Sequence, residues 1–345
     1  MSSQKQIAID AVLKAAKLCQ KVQAEMVPMD AIQKTDRSPV TVADFGSQAV
    51  ICKAIGDAFP EAVIVAEEDA ASLKANPPLL ERVVAYVNDF DAAASAENVC
   101  AWIDRGTGEV GNTFWTLDPI DGTKGFLRRA QYAIALAQIV NGEVTLGVLA
   151  CPNLPFRLTD CEGQSFALGD SRMGAEEARG CLFVAVRGEG TAMYSLTGTF
   201  LGRARVSADA HRLAESVESS HGDSDAHADI ANRLGITAPP VQMDSQAKYG
   251  ILARGEASVY LRLPNPASPD YRECIWDHGA GLIVVEEAGG TVTDANGAPL
   301  NFLTGRRMVD NRGIVATNGQ MHQRVLDAIP NVARGAVSRN CSNRD

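Results

Sequence analysis

Three features of the 345-residue chain predict an α+β unit followed by an α/β unit. FWTLD, YAIALAQIV and VTLGVLA are strand-like, and the last two are joined by Asn141-Gly142-Glu143, turn chemistry that antiparallel hairpins favour. After residue 155, strand-like and helix-like segments alternate. At 46% hydrophobic and 21% charged, the chain can bury a sizeable core, and its length suits two domains.

Residues 4–26 place Ile7, Ala11, Ala15, Leu18, Val22 and Met26 at helical spacing, so an amphipathic helix opens the chain. QKTDRSPVT is polar and proline-marked, a loop or short ribbon before a second helix from about Val42 to Ala58. VIVA (63–66) reads as a buried strand running straight into Glu67, Glu68 and Asp69. Residues 70–112 mix helical stretches with loops and read as an insertion. CPNLP (151–155), with two prolines, marks the expected junction between an N-terminal α+β domain, 1–150, and a C-terminal α/β domain, 151–335. The second domain is expected to hold strand CLFVAVR, helices DAHADIANRLG and QAKYGILARG closed by Gly235 and Gly255, and strand ASVYLRL. A helix from near Asp277 to Gly289-Gly290, strands TVTD and IVAT, and a helix near 319–329 follow. Residues 336–345 read as a disordered tail.

No apolar run approaches the roughly 20 residues that cross a bilayer. MSSQKQIAID lacks a signal-peptide core and the Arg-rich character of a transit peptide, so a soluble, cytoplasmic protein is expected. An organellar location, plastid or mitochondrion, would require that a transit peptide had been removed. Eight cysteines without C-x-x-C spacing argue against a structural zinc site and a secreted disulfide framework; most should be reduced thiols. The net charge of −10 disfavours nucleic-acid binding. A phosphate substrate would therefore need local attraction that the global field does not supply.

The stretch WTLDPIDGTKGF is the most informative. Asp118 and Asp121 end a strand and bracket Ile120, so two carboxylates and one carbonyl can converge on a hard cation such as magnesium. Capping of the following turn by the same aspartates explains the pair alone equally well. Gly122 and Thr123 would open a helix whose N–H groups can hold a phosphate oxygen, which places anion-binding groups beside the carboxylates.

DPIDGTKGF resembles the D-P-[ILV]-D-G-T signature of the lithium-sensitive, magnesium-dependent phosphomonoesterases of the inositol monophosphatase and fructose-1,6-bisphosphatase superfamily. SPVTVADFGSQ (38–48), VAEED (65–69), GVLACPNLP (147–155) and WDHGAGLIVVEEAGG (276–290) agree with it, in order along the chain. Within the superfamily, VESSHGDSDAH, MDSQAKYGILARGEASVYLRL (243–263) and GVLACPNLP are most similar to the 3'(2'),5'-bisphosphate nucleotidase branch. The resemblance implies a layered αβαβα sandwich with the site between its two parts, the N-terminal part carrying most metal ligands.

By the same resemblance, Glu67, Asp118, the Ile120 carbonyl, Asp121 and Asp277 would hold two or three Mg²⁺. Asp44 and Thr123 would orient or deprotonate the attacking water. Gly122, Thr123 and Asp277 would touch substrate, while His221, Ser245, Lys248 and Arg262 would hold the nucleoside 5'-phosphate and base. Two like charges ~4 Å apart repel by about 4 kcal/mol at an effective dielectric of 20, so such a cage needs cations. Filled with them, it attracts phosphate although the protein is acidic. Glu68 and Asp69 read as solvated or supporting groups, and Glu286 and Glu287 as structural. Trp276, Tyr249 and Tyr260 read as packing residues.

The implied reaction is in-line hydrolysis without a phosphoenzyme, converting 3'-phosphoadenosine 5'-phosphate (PAP) to AMP and phosphate, and 3'-phosphoadenylyl sulfate (PAPS) to adenylyl sulfate. Inhibition by Li⁺ and a monomeric state are family expectations. Two alternatives share these residues: an inositol polyphosphate 1-phosphatase, and a non-catalytic magnesium- and nucleotide-binding regulator, against which the filled cage speaks.

Overall fold

The computed structural model describes residues 3–26, 31–33, 39–156, 179–209, 212–217, 224–265, 268 and 270–330. Helix α1 (Ser3–Glu25) buries Ala11, Ala15, Leu18 and Val22 of the predicted stripe, while Ile7 is half-buried. A two-stranded ribbon, β1 (Ala31–Gln33) with β2 (Pro39–Thr41), leads into α2 (Val42–Ala58). Thr41 and Asp44 form a capping box there. The Thr41 hydroxyl accepts from the Ala43 N–H, and the Asp44 carboxylate accepts from the Thr41 N–H at 2.8 Å.

Seven strands then build the larger sheet in sequence order: β3 (Ile64–Ala66), β4 (Thr113–Asp121), β5 (Ala133–Val140), β6 (Glu143–Pro155), β7 (Arg179–Val186), β8 (Gly190–Ser195) and β9 (Phe200–Arg203). Only the β3–β4 pairing is parallel; the rest is an antiparallel meander. Between β3 and β4 the stretch 70–112, unplaced from sequence, holds α3 (Ala71–Lys74), α4 (Pro77–Asn88) and α5 (Ala96–Asp104). After β4 comes the short α6 (Thr123–Leu127).

The later chain supplies α7 (Ser224–Leu234), α8 (Ala247–Ala253), α9 (Gly279–Glu286) and α10 (His322–Ala328). It also supplies a five-stranded sheet in the order β11-β10-β12-β14-β13, formed by β10 (Leu213–Glu215), β11 (Val241–Gln242), β12 (Val259–Arg262), β13 (Thr291–Thr293) and β14 (Ile314–Thr317). The layers follow from period-two burial. On β4, Trp115 and Leu117 join the core beneath α1, α2, α4 and α5, whereas Phe114 faces the opposite core with Tyr249, Ile283 and Phe302. On β5 that second face is Ala133, Ala135 and Ala137, small residues that let α9 settle closely on the sheet. Tyr249 and Ile283 belong to α8 and α9, which lie between the sheets. A third core, with Ile230, Leu261, Val315 and Val325, seats α7 and α10 on the outer face of the smaller sheet. The result is the αβαβα sandwich.

The expected junction is not a boundary between sheets. CPNLP lies inside β6, whose pairing with β7 shifts register between Cys151 and Pro155, so the prolines sit where the ladder is already irregular. β7, expected in the second domain, and β8 and β9 extend the same sheet, which closes at Arg203. The six described cysteines are buried free thiols, and no described helix is long and apolar enough to cross a membrane. Residues 336–345 lie outside the described residues.

Candidate active site

In a regular strand, residues three apart point to opposite faces. Asp118 and Asp121 escape this because β4 bulges between them: Asp118 stands opposite Ala135 and Asp121 opposite Ala133, so two intervening residues on β4 face one on β5. Pro119 occupies the bulge, where its missing N–H costs no ladder bond, and its carbonyl accepts from Ser47 Oγ of α2 at 2.9 Å. Asp118 Oδ1 accepts from the Ile120 N–H at 3.1 Å, so this aspartate both shapes the turn and faces the site. Gly122 follows with φ +85°, and a Cβ there would press on Ser245 at 3.0 Å.

Glu67 enters from the neighbouring strand end. Its N–H donates to the Leu117 carbonyl at 3.1 Å, continuing the parallel ladder so that Glu67 sits beside Asp118. Gln48 of α2 clamps the next residue, accepting from the Glu68 N–H and donating to the Glu68 carbonyl. Glu68 is buried, and the Asp69 carboxylate accepts from the Ala71 N–H at the start of α3. Thr123 Oγ lies 3.2 Å from Asp44 Oδ1 and 3.2 Å from the Ile120 carbonyl. Asp277 stands just before α9.

These carboxylates feel one another. Burial raises the Asp118 pKa well above the usual carboxylate range, and Glu67, Asp121, Asp277 and Asp44 add to it. Asp277 is likewise pushed up by burial, with Arg262 opposing and Asp121, Glu273 and Glu67 reinforcing. Asp121 rises to about 6 through burial, opposed by Lys248 and by the Gln246 N–H that it accepts. Hard anionic oxygens raising one another's proton affinity are a donor set that fits a magnesium ion.

The cationic side of the site adjoins this cage. Lys248 is 3% exposed; its Nζ donates to the Met243 carbonyl at 3.1 Å, lies 5.3 Å from the Tyr260 ring centroid, and has its pKa lowered by burial to about 8. Arg262 pairs through Nε with Glu273 Oε2 at 2.8 Å and donates through Nη2 to the Tyr271 hydroxyl at 3.3 Å. Ser245 takes the left-handed φ of +67° and accepts from the Ala247 N–H at 3.2 Å. His221 lies outside the described residues.

Sequence reasoning passed over four residues here. Gln246 ties Asp121 to the segment around Asp277: its N–H reaches Asp121, its Nε2 the Trp276 carbonyl at 2.9 Å, and its Oε1 accepts from the Gly281 N–H at 3.0 Å. Gly281 is required by the same packing, since a Cβ would overlap the Tyr249 ring at 2.1 Å. Glu273 and His278 complete a buried chain in which the Tyr249 hydroxyl meets His278 Nδ1 at 2.8 Å and His278 Nε2 meets Glu273 Oε2 at 3.3 Å. Glu273, Asp277 and His278 offer metal-ligating atoms within 4.8 Å of one another, yet both His278 nitrogens are already engaged, so hydrogen bonding accounts for the His278–Glu273 contact. The spacing E-x-x-x-D-H in ECIWDH was the available signal. Glu286 and Glu287 are structural: Arg187 pairs with both, and Glu287 accepts from the Gly188 and Gly190 N–H groups.

The chain matches the inositol monophosphatase family over residues 1–334. It belongs to that family. Members are metal-dependent phosphatases, so the chain is an enzyme of the phosphoric monoester hydrolase class. Among relatives, it is 39% identical to the 3'(2'),5'-bisphosphate nucleotidase of Schizosaccharomyces pombe (94% of each chain covered). It is 43% identical to that of Oryza sativa (92% of this chain, 91% of the relative). It is 40% identical to 3',5'-bisphosphate nucleotidase 2 of Arabidopsis thaliana (95% and 97%). The family fold recurs in an inositol monophosphatase of Thermotoga maritima (TM-score 0.61, 22% identity, 94% and 95% covered). It also recurs in the extragenic suppressor protein of Bartonella henselae (0.62, 18%, 96% and 99%).

Proposed function

We propose that this enzyme removes the 3'-phosphate of PAP to give AMP and phosphate, and acts also on PAPS, with Mg²⁺ as the required cation. One juxtaposition carries the reading: a carboxylate cage beside two cations, the buried Lys248 and the partly buried Arg262, both of which act on Asp121. A substrate with one phosphate has no use for the second feature; a bisphosphate uses both. The names of the relatives point the same way.

Glu67, Asp118, Asp121, Asp277 and the Ile120 carbonyl would hold the magnesium, whose contribution when bound is to acidify water and neutralise charge on the phosphoryl and leaving oxygens. Thr123 donates its hydrogen to Asp44 Oδ1, which leaves the threonine oxygen to accept from a water and aim it at phosphorus. Asp44 can do this because Thr41 fixes its other oxygen through two hydrogen bonds. Lys248 and Arg262 anchor the 5'-phosphate and so fix which ester lies over the cage.

Phosphate release from PAP, 3'-AMP and inositol 1,4-bisphosphate, compared across Mg²⁺ concentrations, tests this. PAP should be preferred, with no turnover after chelation. A preference for the inositol substrate would replace the reading with a polyphosphate 1-phosphatase, and turnover of none would leave a binding protein. LiCl should inhibit more than KCl at equal ionic strength and do so uncompetitively toward PAP. Equal inhibition by the two salts would count against a lithium-sensitive site.

A further inference from the structure

Arg262 is held by more than its own strand. Its Nε meets Glu273 Oε2 at 2.8 Å, and the same oxygen meets His278 Nε2 at 3.3 Å. The far nitrogen of that imidazole is fixed by the hydroxyl of Tyr249, a fully buried residue of α8. Across the guanidinium, Nη2 donates to the Tyr271 hydroxyl at 3.3 Å. Glu273 is buried among these groups, 8% exposed. The chain therefore runs from the helix that carries Lys248, through the residue next to Asp277, to Arg262. Among the charges around Asp277, Arg262 acts on it most strongly.

We infer that Glu273 is a positioning residue for substrate selection: it sets the plane of the Arg262 guanidinium so that the donors not facing Glu273 are presented to the second phosphate of a bisphosphate substrate. The inference rests on the proposed role of Arg262. Its chemical basis is that a guanidinium grips phosphate through a planar fork, so its orientation matters as well as its charge. A carboxylate beside a phosphate subsite would otherwise be a liability, because its charge repels the ligand. Glu273 is tolerable there if the oriented arginine gains more than the negative charge costs.

The acceptor and the charge can be separated. Glu273→Gln keeps an oxygen that can accept from both Arg262 and His278 but removes the charge. Glu273→Asp keeps the charge and draws the acceptor back by one methylene. Positioning predicts that Glu273→Asp raises KM for PAP by about 10-fold, the scale of one charge-assisted hydrogen bond, while its loss on 3'-AMP is several-fold smaller. Glu273→Gln should recover most of the PAP affinity. Melting curves of each variant, with and without PAP, show whether the protein is folded and whether ligand still stabilises it. If Glu273→Asp binds PAP normally and Glu273→Gln binds it more tightly, Glu273 acts only as a repelling charge and the inference fails. Equal losses on PAP and 3'-AMP in Glu273→Asp would also overturn it, since a merely structural role gives that result. Arg262→Ala is the control for the underlying reading. Should its losses on PAP and 3'-AMP be equal, the role of Arg262 itself is wrong; should its loss on PAP exceed that on 3'-AMP while that of Glu273→Asp does not, only the positioning by Glu273 is.

Discussion

The two halves of the site handle charge in opposite ways. In the cage, Glu67, Asp118, Asp121 and Asp277 are gathered at strand and helix ends where burial and mutual repulsion raise the proton affinity of the three aspartates. In the cationic half, each charge has a partner within the protein: Arg262 has Glu273, and Lys248 has the Met243 carbonyl and the Tyr260 ring. Glu273 shows the contrast directly. Burial works against its charge, yet Arg262 and His278 hold its pKa at about 2, while Asp277, four residues on, is driven up. Negative charge in the first half is costly without protons or cations to offset it, whereas the second half is paired within the folded chain. On the proposed function, one half would demand a ligand and the other would select one.

The largest effect should come from breaking the demanding half. Asp121→Asn should lower turnover by at least ~10², the scale of losing a principal electrostatic stabiliser. Because the folded-state pKa of Asp121, about 6, lies above the ordinary aspartate value, its ionisation weakens the metal-free fold as pH rises through that window. The variant should therefore melt no lower than the parent at neutral pH in EDTA. Near-normal turnover in ordinary Mg²⁺ would remove Asp121 from the cage.

Truncating the selecting half should be gentler and substrate-dependent. Lys248→Ala or Arg262→Ala should raise KM for PAP by the equivalent of about 1.5 to 3 kcal/mol, with a smaller change on 3'-AMP. Steady-state kinetics on both substrates checks this, and parallel losses would erase the distinction between the halves. The smallest effect is a pH dependence. With its pKa lowered by burial to about 8, Lys248 loses its charge as pH climbs past that value. KM for PAP should then rise by up to about tenfold per pH unit above 8. Lys248→Arg should flatten that rise, and a flat profile in the parent enzyme would show that Lys248 does not bind as a cation.

Most of the cage was legible because its residues sit in short contiguous runs whose local chemistry is distinctive. The bulge at Pro119 was implicit in D-P-I-D, although only the register shows how two aspartates three apart share a face. Residues 70–112 went unplaced although α4 shows the helical spacing Leu79, Val83, Tyr86 and Val87 and both longer helices open on caps. Asn76 accepts from the Leu79 N–H ahead of Pro77 at the first helical position, and Ser95 accepts from the Asn98 N–H. CPNLP misled because proline marks both loops and strand irregularities, and the strand that closes over it begins only at Arg179. Gln246, Glu273 and His278 could not be read as a network, since their partners lie on separate elements.

The meander of the larger sheet has a consequence for synthesis on the ribosome. All seven of its strands have been made once Arg203 is translated, and each pairs with a sequence neighbour, so the sheet can assemble as it emerges. Its inner face waits for α9, which ends at Glu286, roughly 80 residues later; at about 5–20 residues per second this is an interval on the order of 4 to 16 s. Throughout it, Phe114, Ile139, Leu149 and Phe183 present an uncovered apolar surface. Nascent chains stalled between these two points should be the form most dependent on chaperones, and the one most prone to aggregate when translation is slow.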